Sequence, residues 1–410
     1  MTAELQLSVA SNFETLNGIA SVKVSIPFMF MFRLSGASGL LKLAPKRGFE
    51  FLSELWIYAA TFLTSLIVSL VFVAWPALLM NREHLLRDLT ARQSTHTKPT
   101  PRVGGFGIIL AVALGSVYWI GQLGSDLVVS LGAGVIVFLA GLREDITRDV
   151  SPRARLLAAF LSAALAIALT GVLVPDLGLV PGILLYWYVP AVAITLLWSA
   201  GTCHALNLID GLNGLSSLYT ISAAFGLFMI AGYTGDEDIQ IVAGLLIAAV
   251  FGFFVLNWPM GRIFLGDAGA YGIGHILAWL GIVLVARNPS VAGFAILLIL
   301  FWPVCDTLFS IVRRLRTKQA TDQPDRLHFH HLALRVFKLK ARRNRSRQFA
   351  NPIAAAILVP FFSLPIATGV FLWDQPVAAA FALAAYIALF IGTYTKSVRH
   401  LISNRYHRQK

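Results

Sequence analysis

The stretch Asn207-Leu-Ile-Asp-Gly-Leu-Asn-Gly-Leu215 sets one carboxylate, Asp210, between two amides, Asn207 and Asn213, with glycines beside it and a long apolar run on either side. An ionisable residue in such a setting is expensive to keep, so it reads as a working group before it reads as packing. If the segment is helical, Asn207, Asp210 and Gly214 share a face at i, i+3 and i+7. The competing reading is a polar helix end capped by Asp210. Gly211 and Gly214 argue for function, because glycine weakens a helix end unless something must approach closely.

A second cluster, Asn257-Trp-Pro-Met-Gly-Arg-Ile-Phe-Leu-Gly-Asp-Ala-Gly269, closes with Asp267 at the head of another apolar run. A helix N-terminus beside glycines presents backbone N–H groups to an anion. A carboxylate there repels a diphosphate unless a cation bridges them. Mg²⁺ fits, since it takes one or two carboxylates together with phosphate oxygens and waters; Mn²⁺ is the alternative ion. The plainer role for Asp267 is a helix cap.

Three further polar segments lie between apolar runs. In His96-Thr-Lys-Pro-Thr-Pro-Arg-Val-Gly-Gly105 the prolines and glycines break any helix, and Lys98, Thr100 and Arg102 suit phosphate oxygens. The same loop equally suits anionic lipid headgroups. Gly141-Leu-Arg-Glu-Asp145 carries an adjacent acidic pair, Glu144 and Asp145, followed by Ser151-Pro-Arg-Ala-Arg155, where Arg155 offsets the acids or binds phosphate. Ser151 and Pro152 also spell an ordinary helix start. The longest segment, about 313 to 352, holds His328-Phe-His-His331. No cysteine accompanies these histidines, and their spacing is not that of a zinc-binding helix, so a phosphate or sugar contact is the better reading. Asp306 is either a structural contact or a group behind the site.

These segments must be positioned by the apolar runs. The chain of 410 residues is 57% hydrophobic and only 13% charged, about half the charge of a soluble domain. We read an all-α, polytopic membrane protein with about eleven spans, at 55–79, 104–121, 125–142, 154–174, 181–201, 213–232, 239–257, 268–286, 291–312, 353–373 and 377–395. The net charge of +13 does not indicate nucleic acid, because the basic residues gather in alternate loops. After the first span, the opposite loops hold Arg287 as their one lysine or arginine, with Asp126, Asp176, Asp236, Glu237, Asp238 and Asp374, which puts the basic set and the C-terminus in the cytoplasm, although Lys42, Lys46 and Arg47 before that span run against the rule. All five polar segments then fall on that side, as one composite site requires. Cys203 and Cys305 read as packing residues with no disulfide. Residues 1–54 form a segment of unassigned role, suited to an interfacial helix rather than a cleaved signal; 55–395 form the membrane domain and 396–410 a basic tail.

With these motifs in order from about 55 to 395, the chain resembles the polyprenyl-phosphate N-acetylhexosamine-1-phosphate transferases. The resemblance implies an enzyme in the bacterial plasma membrane that moves a sugar 1-phosphate from a UDP-sugar to a polyprenyl phosphate. It further implies release of UMP, a Mg²⁺ requirement, and homodimerisation as an option. Carried over by motif, the catalytic set is Glu144, Asp145, Asp210 and Asp267, with Asp267 and Asp145 on the metal. The substrate-binding set is His96, Lys98, Thr100, Arg102, Arg155, Asn207, Asn213, Asn257, Phe264, His328, His330 and His331. Four positions depart from the common pattern: Glu144 for an aspartate, His204 for an asparagine, Asn213 for an aspartate and Arg262 for a lysine. His328-Phe-His-His331 resembles the branch that initiates O-antigen and related polysaccharides. The peptidoglycan branch, which transfers phospho-N-acetylmuramoyl-pentapeptide and favours three consecutive histidines, is the alternative. A transporter is the competing class; it would place its polar groups near mid-membrane, often in paired halves.

Overall fold

The structure, a computed structural model, describes residues 48–75, 100–178, 187–318, 327–340 and 349–409. Every regular element among them is a helix: α1 (Gly48–Ala74), α2 (Gly104–Tyr118), α3 (Ser125–Gly132), α4 (Val135–Thr147), α5 (Pro152–Thr170), α6 (Tyr188–Ile209), α7 (Leu215–Thr234), α8 (Glu237–Asn257), α9 (Gly266–Arg287), α10 (Gly293–Ile299), α11 (Phe301–Arg316), α12 (Phe329–Lys340), α13 (Ala350–Phe371) and α14 (Pro376–Gln409). With α3 and α4 taken as one span, nine among the described residues are long and apolar enough to cross a membrane. The bent pair α10–α11 makes a tenth, and the 15-residue apolar α2 accounts for the last of the eleven expected runs. The protein is a multi-pass, all-α membrane protein. The chain from Glu54 onward forms one unit. Residues 1–47, and with them most of the expected interfacial segment, lie outside the described residues.

The bundle is built around α9, whose span is entirely buried, whereas only 28% of the α1 span and 17% of the α14 span are covered. The two latter helices therefore face lipid, where their exposed leucines, isoleucines and phenylalanines carry no penalty. Close packing on α9 needs small residues. A side chain on Gly105 of α2 would lie 2.0 Å from the Cα of Gly269, so the two helices cross backbone to backbone.

Two of the expected spans are not continuous helices, and each break has a local cause. The run 291–312 bends by 82° between α10 and α11. Pro303 sits in the first turn of α11 and has no N–H to return to Ile299, whose carbonyl is instead met by the Tyr219 hydroxyl at 3.3 Å. The run 125–142 extends to Thr147 and breaks at Ala133–Gly134. There His275 Nε2 meets the Ser130 carbonyl at 2.9 Å, and Ser162 donates to the Ala133 carbonyl at 2.7 Å. With no water at this depth, such side chains must satisfy the backbone groups that the break releases.

At the end of α9 away from Asp267, Arg287 explains its own exception to the charge pattern. Its Nε donates to Asp126 at 2.9 Å, and its Nη1 reaches Asp236 at 2.8 Å and Asp238 at 2.8 Å. One guanidinium thus ties the starts of α3 and α8 to the end of α9.

Candidate active site

The head of α9 is held by a carboxylate from another helix. Gly266 adopts φ +76° so that its backbone can pass the Arg102 carbonyl, where no side chain would fit. The first two N–H groups that follow point at Asp145, in the last turn of α4. Its Oδ1 accepts from Asp267 N and its Oδ2 from Ala268 N, both at 2.8 Å. Asp145 is 2% exposed, and the charges of Arg102 and Arg148 bear on it. Asp145, expected on the metal, uses both oxygens to anchor the turn that carries Asp267. Glu144 points elsewhere: its Oε2 accepts from Val150 N at 2.8 Å and ties down the loop that leads to α5. That loop ends as its residues suggest, with Ser151 accepting from Ala154 N ahead of Pro152.

Since Asp145 caps α9, the side chain of Asp267 does not, and the cap reading of Asp267 falls away. Its Oδ1 accepts from Asn207 Nδ2 at 3.1 Å, while its Oδ2 pairs with the Arg155 guanidinium. Both members of that pair are nearly covered, with side-chain exposures of 15% for Arg155 and 9% for Asp267. The site is therefore a carboxylate, an amide and a guanidinium from α9, α6 and α5, gathered at one end of the bundle.

The Asn207–Leu215 motif is not one continuous helix. It stops at Ile209, and α7 restarts after Gly214 at φ +82°. The expected shared face of Asn207, Asp210 and Gly214 is thus replaced by a turn that sends each residue to a different partner. Asp210 accepts from the Ser216 hydroxyl at 2.6 Å. Burial pushes its carboxyl above the ordinary carboxylate range, against the opposing pull of Ser216 and Arg102. Asn213 donates from its backbone N–H to Asn351 Oδ1 at 2.7 Å and from its side chain to the Pro259 carbonyl at 3.2 Å. Asn257 accepts from Gly214 N at 2.6 Å and donates to the Ile263 carbonyl at 2.8 Å. Both asparagines are buried and joined to neighbouring backbone, and they hold the two motif loops together.

The first polar segment is laced to the second. Phe264 N donates to the Pro101 carbonyl, Gly104 N to the Phe264 carbonyl and Gly105 N to the Leu265 carbonyl. This brings Thr100 and Arg102 to the head of α9, with Thr100 buried. Phe264 enters the arrangement through its backbone. His96 and Lys98 lie outside the described residues.

Of the three histidines, His328 faces inward. Its Nδ1 meets Asp306 Oδ2 at 3.1 Å, and Asp306 Oδ1 accepts from Phe329 N at 3.1 Å, so Asp306 both orients His328 and caps α12. His330 is fully buried against Gly211, at the place where a residue-211 side chain would stand. Neither of its ring nitrogens has a hydrogen-bond partner among the described residues. Burial, His331 and His328 push its pKa well below the ordinary histidine value, which leaves it neutral. The His331 ring packs on it at 4.1 Å between centroids. Tyr271 was not anticipated; it lies one turn below Asp267 and meets His204 at 3.2 Å. A tyrosine four residues after a site aspartate was the signal available for it.

Among the described residues, no three histidine, cysteine or acidic side chains stand together as a metal cage. An ion here would rest on few protein oxygens, with waters or substrate oxygens completing its shell, as Mg²⁺ does.

The fold and site define a polytopic membrane protein with a polar centre at one end of the bundle. The model of glycosyl transferase family 4 matches residues 127–285. A probable undecaprenyl-phosphate N-acetylglucosaminyl 1-phosphate transferase of Bacillus subtilis is 30% identical over 264 residues, covering 62% of this chain and 71% of that protein. The decaprenyl-phosphate N-acetylglucosaminephosphotransferase of Mycobacterium leprae is 27% identical over 339 residues, 73% of this chain and 82% of that protein. The undecaprenyl-phosphate alpha-N-acetylglucosaminyl 1-phosphate transferase of Salmonella typhi is 29% identical over 256 residues, 59% and 67% respectively. The chain belongs to this family of membrane sugar-phosphate transferases.

Proposed function

We propose that this chain transfers N-acetylhexosamine 1-phosphate from a UDP-sugar to a polyprenyl phosphate at the cytoplasmic face of the bacterial plasma membrane, as the first membrane step of envelope polysaccharide synthesis. The relatives just described carry N-acetylglucosamine in their names, which makes UDP-N-acetylglucosamine the first donor to test and undecaprenyl phosphate the first acceptor. The observation that carries the reading is the meeting of Asp267, Asn207 and Arg155, from three separate motifs, at the head of α9.

In the reaction an oxygen of the lipid phosphate forms a bond to the β-phosphorus of the donor, and the bond to the bridging oxygen breaks, so UMP leaves. No carbon–oxygen bond changes, and the chain's task is placement and charge balance. Arg102 and Arg155 suit the phosphate oxygens. Asp145 holds the turn so that Asp267 faces them. His330, neutral and pressed on Gly211, keeps both ring nitrogens for a donor-side contact, with one able to donate and the other to accept.

Asp267 already holds a cation, the Arg155 guanidinium, and a carboxylate so placed suits Mg²⁺ or Mn²⁺. Asp267 would hold the ion with the donor's phosphates, where it would neutralise charge during transfer. Removal of divalent ions with EDTA is expected to abolish UMP release, and added Mg²⁺ to restore it; full activity in EDTA would contradict this.

A further inference from the structure

Two cross-helix contacts stack at the head of α9. Asn207 and Asp267 meet at 3.1 Å, and one turn deeper His204 Nδ1 meets the Tyr271 hydroxyl at 3.2 Å, with the two rings edge to face. The register follows from spacing, since His204 and Asn207 lie three apart on α6 while Asp267 and Tyr271 lie four apart on α9. Arg155 of α5 bears on both rungs. It pairs with Asp267, and its charge bears on His204 and on Tyr271. Arg155 Nε and His204 Nε2 are both buried, and neither has a hydrogen-bond partner among the described residues. Beside a guanidinium, a neutral imidazole favours the tautomer whose lone pair faces the cation. The ring proton then sits on Nδ1, directed at the Tyr271 oxygen, and Nε2 is an acceptor.

We propose that Arg155 is the resident counter-ion of Asp267, and that His204, oriented by Tyr271, is the seat to which its guanidinium turns when a divalent cation takes the carboxylate. The proposal rests on the reading of Asp267 as a metal ligand. A cation arriving at Asp267 competes with the guanidinium already there. A displaced guanidinium with no acceptor nearby stays buried and unpaired, at a cost that weakens metal binding. His204 Nε2 removes that cost. His204 is a positioning residue in this scheme, acting through Arg155.

The test is metal binding without substrate, by electron paramagnetic resonance of Mn²⁺ titrated into the purified full-length chain. Arg155→Gln removes the competitor and is expected to tighten Mn²⁺ binding about tenfold, while His204→Ala weakens it by a similar factor. His204→Asn, whose amide oxygen accepts the same N–H, is expected to bind as the unmodified chain does. If Arg155→Gln binds no more tightly, or His204→Asn binds as weakly as His204→Ala, the proposal is overturned while the metal reading stands. Should His204→Ala fail to fold, Arg155→Gln alone decides between these outcomes. If Asp267→Asn binds Mn²⁺ as well as the unmodified chain, the metal reading itself fails, and the proposal with it.

Discussion

Asp145 and Asp267 are both carboxylates at the head of α9, and their partners divide the work between them. Asp145 faces two backbone N–H groups, so Asp145→Asn turns an NH₂ against an N–H donor and leaves a buried donor unpaired. We expect it to lower stability by about 1–3 kcal/mol, seen as a reduced melting temperature, together with activity. Asp267→Asn takes the partner from a nearly covered guanidinium, Arg155, so it also costs stability, and it is expected to lose more than about a hundredfold in UMP release. UMP release retained in Asp267→Asn at a temperature where it stays folded would contradict this division. His330 gives a pH prediction. Its pKa is depressed on folding, so its stabilising contribution is complete above the ordinary histidine range and is lost as pH falls through that range towards the folded value. The melting temperature is expected to fall more between pH 7.5 and 5.5 in the unmodified chain than in His330→Gln; identical pH profiles would refute it.

At the scale of elements, the helices were legible because a span is announced by apolar length alone, and each of the eleven runs carries helix among its described residues. The bend in 291–312 carried a sign, Pro303 inside an apolar run, but its direction depends on packing that one sequence does not display. The motif loops were legible as a group because expensive polar residues cluster on one side of the charge pattern. Their internal roles were not, since they depend on partners far along the chain. Asp145 reaches residue 267, Asn213 reaches residue 351, and Asp306 reaches His328 across a loop. Asn213 and Asn257 have side chains as suited to a ligand as to backbone, and only tertiary structure shows which they meet. The bend itself makes a prediction. Tyr219→Phe leaves the Ile299 carbonyl without its donor in a dry setting and should cost roughly 1 kcal/mol in stability with little change in activity. A variant that melts unchanged would show that the hydroxyl does not support the break.

Across the whole molecule, the ion pairs of α9 lie at its two opposite ends. One end gathers Asp267, Asn207 and Arg155; the other uses Arg287 to bind three carboxylates into a clasp. Removing that single cation leaves partly buried acids facing one another. Arg287→Leu is therefore expected to destabilise the bundle by about 3 kcal/mol, measured as thermal unfolding in detergent. An unchanged melting point would mean that water screens these acids well enough without the arginine.

If the chain works as proposed, the bundle positions a sugar diphosphate and a lipid phosphate at the head of α9. The most direct test is UMP release by the purified chain with Mg²⁺, undecaprenyl phosphate and a panel of UDP-N-acetylhexosamines, alongside Asp267→Asn. The account predicts release with a simple UDP-N-acetylhexosamine, dependent on the lipid phosphate and lost in Asp267→Asn. Preference for the muramoyl-pentapeptide donor, or release that survives Asp267→Asn, would contradict it.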